Sequence, residues 1–131
     1  MKWLLLIAAL ILITILANKP KSQSLAYPEQ KKTVGTIDIT VSVIQMAQQP
    51  QFEIKLDTHS EELVSEIDKV SKLTDDKGNI YSTSSWKGSA SGGHHREGTL
   101  TFTDKLPRDI KKVTLTLSDP AVEFAWDLNK E

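Results

Sequence analysis

The chain of 131 residues has no cysteine. That excludes a disulfide framework, a thiolate metal site and a lipid-modified cysteine anchor. Neither charge sign dominates: 16 Lys+Arg stand against 17 Asp+Glu, and the formal net charge is −1. A basic nucleic-acid-binding surface is not expected from that balance. Long apolar runs are absent after the first 17 residues, and no internal repeat is visible.

The exception comes first. Trp3–Ala17 (WLLLIAALILITILA) is apolar apart from Thr14 and holds no charge, with Lys2 before it and Lys19 and Lys21 after it. Such an N-terminal run is an export or membrane-anchoring signal. As a helix its 15 residues reach about 22 Å, short against a hydrocarbon core of about 30 Å. Lys2 and Asn18 would have to snorkel at its ends. Ile15-Leu16-Ala17 is a poor small-x-small cleavage site; Ser24-Leu25-Ala26 is better but distant. An uncleaved anchor is therefore preferred over a cleaved signal peptide. The expected product is a cell-membrane protein with one N-terminal anchor and an extracytoplasmic domain, or a secreted domain if the signal is cleaved.

Residues 18–32 (NKPKSQSLAYPEQKK) carry two prolines and no apolar period, and read as an extended linker. The folded domain is expected over 33–131. About 100 residues supply one modest core.

From Ile37 the pattern alternates. Ile37, Ile39, Val41 and Val43 are separated by polar residues, as are Phe52, Ile54 and Leu56. Leu100 and Phe102, then Val113, Leu115 and Leu117, then Val122, Phe124, Trp126 and Leu128 keep the same period of two. That period marks half-buried strands. The phase breaks at Ile44 and Met46, where a bulge or strand end is expected. Turn signals fall at Asp75–Asn79, Leu106–Asp109 and Ser118–Pro120. Glu61–Leu73 is ambiguous. Leu63, Ile67 and Val70 have helical spacing behind a Ser60 cap, but strand neighbours favour a strand over Glu62–Ile67. The pattern predicts an all-β, antiparallel immunoglobulin-like β-sandwich preceded by one N-terminal transmembrane or signal helix. Twelve side chains are expected to share its core: Ile37, Ile39, Phe52, Ile54, Leu56, Leu100, Phe102, Val113, Leu115, Leu117, Phe124 and Trp126.

All three histidines lie in two short polar motifs. One is Asp57-Thr58-His59-Ser60, after the second alternating run. The other is Gly92-Gly93-His94-His95-Arg96-Glu97-Gly98, leading into the third. If both strand ends share one pole, His59 meets His94 or His95. Three imidazoles, with Asp57 or Glu97, would make a ligand set for zinc or copper. An extended backbone would turn His94 and His95 to opposite faces, leaving only one of them for His59. The structural alternative is a set of caps and hydrogen bonds across the sandwich end, for example from His94 or His95 to Asp57. Trp86 and Trp126 read as core side chains with a polar edge. The Gly88–Gly98 segment, with four glycines, reads as an exposed hairpin loop. Lys87, His94, His95 and Arg96 would make it locally basic towards an anion or a protein partner.

Catalytic motifs are missing. Gly88-Ser89-Ala90-Ser91-Gly92 places alanine where a nucleophile elbow needs serine. Asp57, His59 and Ser60 are triad residue types, but they sit within four residues of one loop. Asp75–Asn79 has lysine where a calcium loop needs oxygen. A non-enzymatic binding module is expected, with a transition-metal-binding domain as the alternative.

Taken in order, Asp57-Thr58-His59-Ser60, Trp86-Lys87-Gly88, Gly92–Gly98 and Trp126-Asp127-Leu128 resemble a group of exported bacterial and archaeal proteins. The resemblance spans about Phe52–Leu128, and the glycine-histidine motif is its most specific part. It implies this fold and export, and no particular activity.

Overall fold

A computed structural model describes residues 27–82 and 84–128. The apolar run Trp3–Ala17, with the anchor or signal helix expected there, lies outside the described residues. Among the described residues no helix is long and apolar enough to cross a membrane.

Among the described residues nine strands and one short helix follow in order. They are β1 (Gln30–Val34), β2 (Ile37–Gln45), β3 (Gln51–Asp57), α1 (Ile67–Val70), β4 (Ser71–Asp75), β5 (Ile80–Tyr81), β6 (Ser84–Gly88), β7 (His95–Phe102), β8 (Lys112–Ser118) and β9 (Ala121–Asp127). One sheet has the order β1-β2-β3-β7-β6 and the other β5-β4-β8-β9. Every pairing is antiparallel. The two sheets form a β-sandwich, because each alternating strand has one apolar face to bury.

All twelve expected core side chains are buried. Met46, Leu63, Ile67, Leu73, Tyr81, Leu106 and Ile110 join them. Phe52 links the layers. Its ring meets Phe102 edge-on at 6.1 Å and lies 5.2 Å from Trp126. The β2–β3 register shifts between Val43 and Gln45, where the apolar phase breaks.

Two expectations need correction. The linker does not run to residue 32, since Gln30, Lys31 and Lys32 belong to β1. This strand is polar because it is an edge strand held by its backbone. Lys32 lays its ammonium over the Phe124 ring at 5.3 Å, and Gln30 donates to the Ala125 carbonyl at 2.8 Å. The polar side chains of Gln30 and Lys32 thus cover the edge where β1 meets β9. Nor is Glu62–Ile67 a strand. Residues 61–66 are extended without a ladder partner, and the helix is a single turn over Ile67–Val70. Ser60 caps nothing there; the N-cap is Glu66, with no side-chain cap bond. The segment's spacing comes from Leu63 and Ile67, both buried beneath an irregular backbone.

The strands define two poles. The end of β2, the start of β3 and the 103–111 connection share one. Tyr27 sits there in a depression of about 270 Å³ with Met46, Leu106, Ile110 and Leu128, so the described chain enters the domain at this pole. The other pole gathers the 35–36 turn, residues 58–66 and the 89–94 hairpin loop. Asp57, paired with Asp38 and His95, marks it. The nine residues of β2 separate the poles by about 30 Å.

Candidate functional site at the histidine pole

β3 and β7 bring the two histidine motifs together. Asp57 ends β3 and pairs directly with His95, the first residue of β7. Their side chains share the outer face of the sheet, and His95 Nδ1 lies 2.6 Å from Asp57 Oδ1. The imidazole is 68% exposed and the carboxylate 53%, so this pair is open to ligands. The His59 ring stands edge-on to His95 with centroids 6.4 Å apart. Beside them Lys55, Asp57, Ser89, His95 and Glu97 line an open depression of about 330 Å³.

His94 does not join. It lies exposed in the bend before β7, where its carbonyl accepts a hydrogen bond from the Thr58 amide at 2.9 Å, and the ring beside His59 is that of His95. The three-histidine set is therefore not assembled. Among the described residues no group of three or more His, Cys, Asp or Glu side chains is arranged to hold a metal ion. No serine or threonine hydroxyl bonds to either His59 or His95 among them.

The loops carrying these side chains are held by main-chain bonds. The Leu63 amide donates to the Gly93 carbonyl at 2.9 Å, and the Gly92 amide to the Leu63 carbonyl at 2.7 Å. The Gly93 amide donates to Glu62 Oε2 at 2.8 Å. Gly92 and Gly93 have φ of +106° and +77°, a region that disfavours any side chain. Thr58 is buried, and its hydroxyl accepts from the Ser60 amide at 3.3 Å. The hairpin loop is shorter than Gly88–Gly98: Gly88 closes β6, and His95–Gly98 belong to β7. Gly88 pairs with Gly98, and a methyl group on Gly98 would lie 2.6 Å from Trp86 Cζ2. The glycine lets the indole lie flat across the strand.

Arg96 is the residue that sequence reasoning misplaced. It does not make the loop basic towards solvent, because it is 3% exposed. Its guanidinium donates to the carbonyls of Leu63 at 3.2 Å, of Ser89 at 3.3 Å, and of Ser65. It also lies 5.9 Å from the Trp86 ring centroid, and the Trp86 indole N–H donates to the Ser89 carbonyl at 3.0 Å. Burial holds its pKa below the ordinary arginine value. Among the described residues, neither its Nε nor the Trp126 indole nitrogen, both buried, has a hydrogen-bond partner. Position was the available signal: Arg96 has the inward parity of Leu100 and Phe102. One buried cation thus fixes the 61–66 segment to the 89–94 loop. No protein-family model matches the chain, and neither a curated protein nor a solved structure is similar to it.

Proposed function

We propose that this chain is an exported, membrane-tethered, non-catalytic binding domain that presents its histidine pole away from the membrane. The observation that carries the reading is the exposed trio Asp57, His59 and His95, at two paired strand ends and the loop between, at the pole opposite Tyr27. A side chain needed only for packing would be buried. These three are exposed, while the structural work beneath them falls to Arg96, Thr58 and Trp86. The apolar run ends at Ala17, and nine residues reach at most about 32 Å. A membrane anchor there holds Tyr27 within about 32 Å of the bilayer and leaves the histidine pole at the end of the domain away from its tether.

The immunoglobulin-like reading of the sandwich belongs to this proposal. The orders β2-β3-β7-β6 and β5-β4-β8-β9 follow the A-B-E-D and C′-C-F-G arrangement, with β1 added at one edge. Loops at the ends of such sandwiches commonly carry binding residues on a rigid scaffold.

Site-specific photo-crosslinking in cells tests the reading. A crosslinker at Ser91, in the 89–94 loop, should give a discrete adduct that His59→Ala with His95→Ala removes. One at Ala47, at the opposite pole, should not give that adduct. Equal adducts from both poles, or a Ser91 adduct indifferent to the histidines, would refute it.

A further inference from the structure

Asp57, His95 and His59 are set up for more than display. An ionised Asp57 fixes the tautomer of its neighbour: His95 Nδ1 carries the proton and donates it across 2.6 Å. Nε2 is then left with a free lone pair. Imidazole oriented in this way by a carboxylate is the form that metal sites use, because the second bond holds the ring and raises its basicity. His59 supplies the second nitrogen. Two imidazoles on one tetrahedral ion, each nitrogen about 2.1 Å away, have ring centroids about 5.3 Å apart. The observed separation is 6.4 Å with the rings at 81°. The His59 ring is exposed, and the site requires it to swing about 1 Å closer to His95 while Asp57 holds the His95 ring.

We propose that His59 and His95 bind one zinc or copper(II) ion, with Asp57 as a positioning residue for His95 rather than a ligand. This rests on the reading of the pole as a binding surface and names its ligand class. The protein offers two nitrogens. The remaining coordination positions go to water or to a donor from the bound partner, which leaves the site open rather than closed. Imidazole suits both ions, and copper(II) should bind the more tightly of the two. His94 takes no part: it lies in the bend before β7, and the ring that stands beside His59 is that of His95.

Titration of the purified full-length chain in detergent with zinc or copper(II), read by calorimetry and metal analysis, tests the proposal. The double variant His59→Ala, His95→Ala defines the background from other groups. The expected result is one ion per chain above that background. His59→Ala and His95→Ala should each weaken binding at least about 10-fold, and Asp57→Asn about 10-fold. His94→Ala should leave the affinity unchanged. His59→Gln and His95→Gln, with thermal unfolding of each variant, separate ligand loss from misfolding. No binding above the double variant, or an equal loss in His94→Ala, would overturn the site. Repeating the Ser91 crosslink with EDTA keeps the two proposals distinct. An adduct that survives chelation in a chain that binds no metal preserves the binding pole and removes the metal.

Discussion

Phe102→Ala and Phe124→Ala should each lower folding stability by about 3–5 kcal/mol. Both side chains are fully buried, one on each sheet. Phe102 packs on Phe52, Phe52 on Trp126, and Trp126 on Phe124 at 6.4 Å. Removing a ring from this chain of contacts forfeits its transfer free energy and leaves a cavity between two sheets that close only partly. No disulfide restrains the unfolded state. Domains of this size are stable by about 5–15 kcal/mol, so either change removes a large fraction. Urea unfolding followed by tryptophan fluorescence measures it. Val64→Ala, at a side chain 65% exposed, should cost less than about 0.5 kcal/mol in the same assay. Losses below about 1 kcal/mol at both phenylalanines would contradict the packing described.

Arg96→Ala should cost about 2–3 kcal/mol and loosen the histidine pole. The change leaves the Ser65 carbonyl without its donor and takes one of two donors from the carbonyls of Leu63 and Ser89, which the Gly92 amide and the Trp86 indole still serve. It also removes the cation lying over Trp86. Arg96→Lys should not restore stability, since one ammonium cannot span carbonyls that a planar fork reaches together. Hydrogen exchange gives the distinguishing readout. Amides of Thr58, Leu63, Gly92 and Gly93 should exchange faster in Arg96→Ala, while those of β8 and β9 change only with global stability. Wild-type protection at Gly92 and Gly93 in that variant would show that the loop does not depend on Arg96.

The core was legible because a half-buried strand writes its burial into every second residue. Ile37–Val43, Phe52–Leu56, Val113–Leu117 and Phe124–Trp126 therefore gave the strands and their inward faces directly. β1 was hidden because its sequence, Gln-Lys-Lys-Thr-Val, has no apolar alternation, and Lys32 packs through its stem on Phe124. Residues 61–66 misled for a different reason. Leu63 and Ile67 are buried by an extended segment and one helical turn, so neither period describes them. At the pole, the strand ends brought His59 to the His94–His95 pair, and alternation allowed it one of the two without saying which. The three-carbonyl seat of Arg96 depends on where irregular backbone runs, and no local pattern encodes that.

The account stands most directly on the histidine pole facing out of the cell membrane. The chain has no cysteine, so Ser91→Cys in the full-length protein gives a single thiol on the 89–94 loop. Exposing intact cells to a membrane-impermeant maleimide measures its side of the membrane. Labelling of intact cells to the same extent as lysed cells is the result the account predicts. Labelling that appears only after lysis would contradict it.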